Sequence, residues 1–473
     1  VTKYDAIIIG SGQAGNPLAK KLAAAGWNTA VIEKKWVGGT CINVGCTPTK
    51  TMIASGRVAY LVKRSADFGI HTSGMSVDIT EVIKRKNTLV VSARESTTRG
   101  LLKEDRLDLI FGNAAFSGNK EITVIKEDGS LEILTAEKIF LNTGTLPVIP
   151  PLPGLEKINY LTSSSIMDLM ELPSHLLILG GSYIALEFGQ LYRRLGSEVT
   201  IIESNDQFLS KEDTDIAAEI KKILEEDGIR ILTGTHARQV VSVDGQVRLE
   251  VTVGSAPAAG VAPVTASPVT LTGSHLLVAT GREADTRGLN LAAAGVHLNK
   301  RGFIDVNDRL ETNIPGIYAL GDCKGGPQFT HISYNDHLVV YKNLLANGNQ
   351  SIAGRIPIYC LFTDPELGRV GLTEKEAREQ GLNIKVATLP AAHIARAWEN
   401  GETRGLWKAI VNADDKKIIG VAALSVAGGE IMSVLQVAMM GGITYDVLRD
   451  TIFAHPTFAE ALNNLFARLD EDK

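Results

Sequence analysis

Cysteine and tryptophan are scarce in this chain, with four of each among 473 residues. Four cysteines cannot staple a chain of this length, which excludes a disulfide-scaffolded secreted domain. No apolar run reaches the roughly 18–20 residues that span a bilayer, so no membrane-crossing helix is expected. Positive charge is not in excess: 48 Lys and Arg stand against 53 Asp and Glu, for a formal net charge of −5. That balance argues against nucleic acid or an anionic membrane surface as partner. An apolar strand begins at Tyr4–Ile9 with no basic stretch or small-residue cleavage site before it. No signal peptide is therefore expected, and the expected location is the cytoplasm. What is present is ordinary for a globular protein: 44% hydrophobic and 21% charged residues, enough for two to four domains with sizeable cores.

An internal repeat organises the chain. Ile7-Ile8-Ile9-Gly10-Ser11-Gly12-Gln13-Ala14-Gly15 recurs 170 residues later as Leu177-Ile178-Leu179-Gly180-Gly181-Ser182-Tyr183-Ile184-Ala185. Gly26 recurs as Gly196, and Val31-Ile32-Glu33 as Ile201-Ile202-Glu203. Each unit reads strand, glycine turn, helix, strand, carboxylate, with the acid 23 residues after the first glycine. That order is the βαβ unit of dinucleotide-binding type. Gly10 serves the tight turn, Gly12 lets a pyrophosphate approach the backbone, and Gly15 lets helix and strand pack closely. The helix N-terminus faces the phosphates. The bland alternative is a glycine turn with no ligand. It weighs more for the second copy, where Ser182 and Ala185 replace the middle and last glycines.

Segments 137–144 and 275–281 read as apolar strands ending in Thr143-Gly144 and Thr280-Gly281, the expected closing strands of the two units. Pro147 to Pro153 reads as a connection between domains. Residues 255–268 are small and punctuated by proline, and are expected to form a mobile surface loop. From about 346 onward strands and helices alternate without a glycine fingerprint, as expected of a third domain.

The sharpest stretch runs from Gly38 to Lys50 and holds Cys41 and Cys46; Cys323 and Cys360 stand alone. Five residues apart on a regular helix, two Cα atoms lie roughly 8–9 Å from each other, whereas a disulfide needs about 4.4–6.8 Å. A bridge would require a distorted helix start, which Gly45 and Pro48 tolerate. Lys50 lies one turn beyond Cys46 on the same face. A lysine and a helix N-terminus both favour thiolate over thiol. From the residues alone, a redox pair, a structural disulfide and two buried thiols all stay open. Metal binding is weaker, because no second Cys/His pair has finger spacing.

The peptide from Gly39-Thr40-Cys41 through Cys46, Pro48 and Lys50 resembles the active-site segment of the pyridine nucleotide–disulfide oxidoreductases. That family includes dihydrolipoamide dehydrogenase, glutathione reductase and mercuric reductase, and the resemblance covers essentially the whole chain. Tyr318-Ala319-Leu320-Gly321-Asp322 resembles its second FAD motif. Tyr183-Ile184-Ala185-Leu186-Glu187 resembles the segment with a nicotinamide-gating tyrosine and a glutamate that pairs with the flavin-side lysine. His455-Pro456-Thr457-Phe458-Ala459-Glu460 resembles the C-terminal acid/base motif. The texture around Gly321-Asp322-Cys323, Pro327-Gln328-Phe329 and Thr403-Arg404-Gly405 is similar to the mercuric-reductase branch. However, the stretch Phe466–Lys473 carries no vicinal cysteine pair, no extra metal-trafficking domain is evident, and the His-Pro-Thr motif is kept. In this the chain is similar to bacterial reactive-chlorine-resistance flavoproteins, which reduce hypothiocyanite.

The resemblance implies an α/β architecture of two Rossmann-like dinucleotide-binding domains plus a C-terminal α+β dimerisation domain. The expected divisions are 1–150 for FAD (completed by 282–345), 151–281 for NAD and 346–473 for dimerisation. Expected catalytic residues are Cys41, Cys46, Lys50, Tyr183, Glu187, His455 and Glu460. The cofactors would touch Gly10, Gly12, Gly15, Glu33, Gly39, Thr40, Lys50, Ala114, Thr143, Gly144, Gly180, Ser182, Ile184, Glu187, Glu203, Gly281, Asp322 and Phe329. No metal site is expected. Cys46 would be the sulfur nearer the flavin, Cys41 the attacking thiolate, and the pair a disulfide at rest. His455 would act in the neighbouring subunit of a homodimer. NADH rather than NADPH is the expected donor: Glu203 suits two ribose hydroxyls and repels a 2′-phosphate, and Ser204–Ser210 contains no arginine. The expected acceptor is a small disulfide or sulfur oxidant of the hypothiocyanite type. Alternatives are dihydrolipoamide dehydrogenase, mercuric reductase, and a flavin-loaded redox sensor or metal-binding protein.

Overall fold

The structure, a computed structural model, describes residues 1–254 and 268–470. Thr2–Ile9 and Thr29–Glu33 are apolar and almost wholly buried along their inner lengths, as central parallel strands covered on both faces must be. Five parallel strands lie side by side in the order Leu107–Phe111, Thr29–Glu33, Thr2–Ile9, Leu131–Leu141 and Ile317–Ala319. The strand read from sequence as closing this sheet is therefore internal. The edge beyond it comes from residues 317–319, whose register with Ile139–Leu141 no local pattern announces. Strands Asn113–Gly118 and Glu121–Ile125 form an antiparallel meander with the start of Leu131–Leu141.

The second copy of the repeat builds a smaller parallel sheet in the order Arg230–Leu232, Glu198–Ile202, His175–Leu179, His275–Val278. Here the strand at 275 does stand at the edge, as expected. A three-stranded antiparallel sheet adjoins it, made of Thr235–Val243, Gln246–Val253 and Val269–Gly273. The expected surface loop 255–268 lies outside the described residues except for its last proline. The chain crosses between the two nucleotide units twice, and the crossing segments Thr145–Pro147 and Arg282–Ala284 pair as an antiparallel ribbon.

The third unit is a five-stranded antiparallel sheet in the order Ile358–Leu361, Glu366–Gly371, Ile418–Ser425, Leu406–Asn412, Ile384–Pro390. Helices Gly428–Met440 and Ala461–Ala467 pack with it around Trp407, Leu435 and Phe466. The fold class is α/β with two Rossmann-like units and an α+β C-terminal unit. Val434, Val437, Met440, Val447 and Ile452 leave an apolar face of this last unit exposed, as a face that meets another chain would be. Among the described residues no helix is long and apolar enough to cross a membrane.

The three units meet at a buried charge cluster. Arg57 from the first unit bonds Asp364 at 2.6 Å and Glu402 at 2.5 Å. Arg194 from the second also bonds Asp364. Arg404 from the third bonds Asp227 at 2.6 Å. Burial alone would push the Asp364 carboxyl up, but Arg194 and Arg57 hold it below the usual carboxylate range. A depressed folded-state pKa stabilises the fold above the unfolded value of about 3.9, and that contribution is lost as pH falls through the folded value. Asp364→Asn should leave two arginines facing each other and cost about 3 kcal/mol. Urea unfolding at pH 7 measures it, and the gap to wild type should narrow as pH falls through the Asp364 titration. Equal stability at pH 7 would show that the cluster does not hold the units together.

Candidate active site

The redox segment is not one helix but two. Gly39–Asn43 forms a single turn, the backbone breaks at Val44 and Gly45, and a new helix starts at Cys46 and runs to Lys63. The Thr40 carbonyl accepts the Val44 N–H at 2.9 Å. A Cβ on Gly45 would stand 2.7 Å from that same oxygen, so only glycine fits the break. The break folds Cys41 back toward Cys46, close enough for each thiol to shift the acidity of the other. Both are free thiols here. The resting disulfide that the resemblance implies differs from this dithiol by a two-electron oxidation.

The two thiols are not equivalent. Cys46 is pulled down to about 6, first by the hydrogen bond from Cys41; burial opposes this, while the Thr330 hydroxyl and the Lys50 charge add to it. Cys41 is pushed far up, first by that same hydrogen bond and then by burial. Of the two, Cys46 is the more readily ionised and Cys41 the one that holds its proton. Cys46 is the first residue of its helix, where the backbone N–H groups favour an anion. Thr330 Oγ1 lies 3.4 Å from Cys46 Sγ.

Lys50 Nζ bonds Glu187 Oε2 at 2.7 Å and lies 4.7 Å from the centre of the Phe362 ring. The other oxygen of Glu187 accepts the Phe362 N–H at 3.1 Å. Tyr183, four residues before Glu187 on helix Tyr183–Leu195, lies 6.1 Å from Phe329, ring centre to ring centre. Burial pushes its hydroxyl up to about 12, against the opposing charge of Arg282. Phe329 is stacked between His331 at 5.4 Å and Tyr359 at 5.7 Å. Tyr359 in turn donates to Glu212. All three units therefore contribute to one cleft.

The first glycine turn makes a cradle. Gly10 has φ +99°, and a Cβ on it would lie 2.3 Å from the Asn142 carbonyl. A Cβ on Gly12 would meet Asn142 Oδ1 at 2.8 Å, and one on Gly15 the Gly10 carbonyl at 2.4 Å. Gly39, with φ +62°, stands against the Gly12 backbone. Thr40 is exposed beside it. Asn142 joins the two halves of the unit: Oδ1 accepts the Gly15 N–H at 2.9 Å, and Nδ2 donates to the Leu320 carbonyl at 2.9 Å. Glu33 is turned onto the glycine loop at Ser11. Asp322 is partly buried, and burial raises its carboxyl against the opposing charge of Arg282. Its hydrogen-bond partner is the Thr145 hydroxyl, at a long 3.4 Å. Thr143 Oγ1 is buried without any partner. A side-chain-free cradle, an orphaned hydroxyl and an under-bonded buried carboxyl together fit a dinucleotide whose phosphates lie at the turn and whose polyol chain runs past Asp322. Gly144, with φ +75°, accepts the Asp285 N–H at 3.0 Å and closes the ribbon there. Ala114 sits on the meander paired with Val124 and packs on the core of the unit.

In the second unit Gly180 repeats Gly10, with φ +104° and a Cβ position 2.4 Å from the Ala279 carbonyl. Ser182 is exposed, with no side-chain capping bond, so the first N–H groups of the following helix stay available. Ile184 packs on the core, and Gly281 has φ +125° beside open space. Glu203 accepts the Gly181 N–H at 2.7 Å. His455 and Glu460 bond each other at 2.9 Å, with the imidazole largely exposed. Among the described residues neither shares a hydrogen bond with the cysteines of its own chain. Among the described residues no cluster of three or more His, Cys, Asp or Glu is poised to hold a metal. Reading the sequence did not single out Ser11, Asn142, Thr330, Tyr359 or Phe362. Asn142 left a faint signal, a polar residue directly after the apolar run Ile139–Leu141. Thr330 left none, since it is 284 residues from Cys46.

Residues 4–336 match the family described as pyridine nucleotide-disulphide oxidoreductase, and residues 357–466 match its dimerisation domain. The chain is 39% identical over 471 residues to a probable pyridine nucleotide-disulfide oxidoreductase RclA of Escherichia coli strain K12, covering 99% of both chains. It is 35% identical over 470 residues to a mercuric reductase of Bacillus cereus, covering 99% of this chain and 72% of that one. Among solved structures, a Cu(II) complex of the HOCl-induced flavoprotein disulfide reductase RclA from Escherichia coli matches with a TM-score of 0.88 at 38% identity, covering 99% of each chain. The chain belongs to the pyridine nucleotide–disulphide oxidoreductase family, and FAD and a nicotinamide nucleotide are its cofactors. Within that class it is a flavoprotein disulfide oxidoreductase of the RclA type, an enzyme acting on sulfur groups. The dimerisation-domain match supports a homodimer.

The thiol asymmetry is directly measurable. Thiolate absorbance of the reduced enzyme should titrate with a midpoint at about 6 for Cys46. Thr330→Val and Lys50→Met should each raise that midpoint by about 1 unit. A wild-type midpoint near the ordinary thiol value of about 8.5 would mean that the cleft does not activate Cys46.

Proposed function

We propose that this enzyme passes electrons from NADH through Cys46 and Cys41 to a small oxidised-sulfur acceptor, with hypothiocyanite favoured, in the cytoplasm. The observation that carries the reading is the cysteine pair at a broken helix start, with Thr330 Oγ1 3.4 Å from Cys46 Sγ and the Lys50–Glu187 ion pair one turn along. A reactive dithiol in an acidic, cysteine-poor chain suits a reducing compartment.

Gly10, Gly12, Gly15, Glu33, Gly39, Thr40, Thr143, Gly144 and Asp322 would hold FAD, which when bound would supply two-electron transfer between nicotinamide and sulfur. The residues of the chain do the rest. Tyr183 covers the nicotinamide side and moves aside for the donor. Lys50, fixed by Glu187, keeps positive charge beside Cys46. Cys41 must lose its proton before it can attack, and its raised pKa means that a base has to take it. His455, oriented by Glu460 and supplied by the partner subunit, is that base. For a disulfide acceptor the Cys41 thiolate attacks one sulfur and expels the other as a thiolate, which His455 protonates. Cys46 then attacks Cys41, closing the internal disulfide and releasing the second thiol. For hypothiocyanite the first attack on sulfur expels hydroxide, which leaves as water after protonation, and closure of the internal disulfide expels thiocyanate.

A second reading, dihydrolipoamide dehydrogenase, uses the same residues in the reverse direction. Turnover with NADH across hypothiocyanite, lipoamide, glutathione disulfide, mercuric ion and Cu(II) separates these readings. Cu(II) is included because the related Escherichia coli structure is a Cu(II) complex. Hypothiocyanite should give the highest kcat/KM, and lipoamide ahead of it would favour the second reading. Cys41→Ser should abolish sulfur reduction while the flavin is still reduced by NADH. His455→Gln should lower kcat by about 10²–10⁴-fold. Retention of full activity by Cys41→Ser would make the cysteine pair structural. NADH should exceed NADPH in kcat/KM by about tenfold or more, since each missing charge-assisted contact costs roughly 1.5–3 kcal/mol.

A further inference from the structure

Glu33 and Glu203 close the same turn in the two nucleotide units, but different donors hold them. Glu33 Oε2 accepts the Ser11 N–H at 3.1 Å and the Ser11 hydroxyl at 2.6 Å, and Oε1 accepts the Lys35 N–H at 2.8 Å. The turn residue thus supplies the side-chain donor. In the second unit Gly181 takes the place of Ser11 and offers its N–H alone, at 2.7 Å. A side chain there would crowd Glu203, because a Cβ would lie 2.8 Å from its Oε2 and 3.0 Å from its Cβ. The side-chain donor comes instead from the loop after the strand. Asn205 gives Glu203 Oε1 both its backbone N–H and its side-chain amide, each at 2.7 Å, and the Ser204 hydroxyl adds a third bond at 3.3 Å. Lys35, the counterpart of Asn205 in the first unit, gives only its backbone and turns its side chain over Trp36.

We infer that Asn205 is a specificity-determining residue for the nicotinamide nucleotide, acting by locking Glu203. The inference rests on the NADH reading above and names what enforces it. A carboxylate offers about four lone-pair sites. Oε1 is saturated by three donors, whereas Oε2 has one donor and is the oxygen left for ribose hydroxyls. Pinned through Oε1, the carboxylate cannot swing away, so a 2′-phosphate meets a fixed negative charge. Without the amide, Glu203 keeps its backbone donors but gains the freedom to turn, which weakens the ribose contact and relieves the repulsion together.

Asn205 is itself exposed, so alanine there leaves no cavity in the core. The test is isothermal titration of the FAD-loaded dimer with ADP-ribose and with its 2′-phosphate, with KM and kcat for NADH beside it. Wild type should bind ADP-ribose at least about tenfold tighter than the phosphorylated form. Asn205→Ala should weaken ADP-ribose by about fivefold, the size of one modest hydrogen bond, without weakening the 2′-phosphate. KM for NADH should rise in step while kcat stays unchanged. Asn205→Ser, with a shorter donor, should fall between. An unchanged ratio of the two ligands in Asn205→Ala, including equal weakening of both, would overturn the role of Asn205 and leave the NADH reading standing. A wild-type preference for the 2′-phosphate would overturn both.

Discussion

The Thr40 carbonyl lies where a Cβ on Gly45 would collide with it, and the redox chemistry depends on that contact. A continuous helix would hold Cys41 and Cys46 too far apart for a shared proton or a bond. The break stops the first turn at Asn43 and restarts the helix at Cys46. It places one sulfur at a helix N-terminus, brings the other against it, and sets Lys50 one turn along. The two thiols then differ in acidity: Thr330 and Lys50 lower both, but the interaction between the sulfurs lowers Cys46 and raises Cys41. A thiolate and a thiol in contact are a poised pair: one is ready to exchange electrons and the other waits for a base.

That base cannot be understood from one chain. His455 and Glu460 bond each other on an exposed surface, next to a unit whose apolar face is also exposed. The homodimer that the dimerisation-domain match supports would cover that apolar face, and in the proposed chemistry it also receives the histidine. The raised Cys41 makes such a partner necessary to the proposed chemistry, since water near neutral pH is a poor base for a thiol held so high. Stability and catalysis are coupled in the same way within the chain. The cluster of Arg57, Arg194 and Arg404 with Asp364, Asp227 and Glu402 holds the three units that each supply a wall of the cleft.

The two nucleotide units show how one fold element is reused with a change of detail. Each ends its second strand in a glutamate turned back onto the glycine loop. In the first unit a serine on the loop supports that glutamate, and in the second an asparagine beyond the strand does so. The exchange is sterically linked: a side chain on Gly181 would crowd Glu203 where it now lies, and the support comes from the other side.

The sequence by itself determined the repeat, both glycine turns, the two glutamates, the cysteine pair with Lys50, and the three-unit architecture. These are legible because each is local. Strand, turn and helix are encoded within about 30 residues, and a βαβ unit imposes its spacing wherever it occurs. Glu187 and His455 were legible only through family resemblance, because nothing near them announces their chemistry. Tertiary structure alone decided the rest: the edge strand at 317–319, the union of two chain segments at Asn142, the contact of Thr330 with Cys46, the stack of Phe329 with Tyr359, and the two donors from Asn205. The physical reason is that hydrogen bonds and ring contacts depend on separation in space, and folding brings together residues up to 345 positions apart in the chain. It was also the tertiary structure that separated the two cysteines in acidity. Their spacing shows that they can meet; their contact lowers Cys46 and raises Cys41, while Thr330 and Lys50, carried in from elsewhere, lower both.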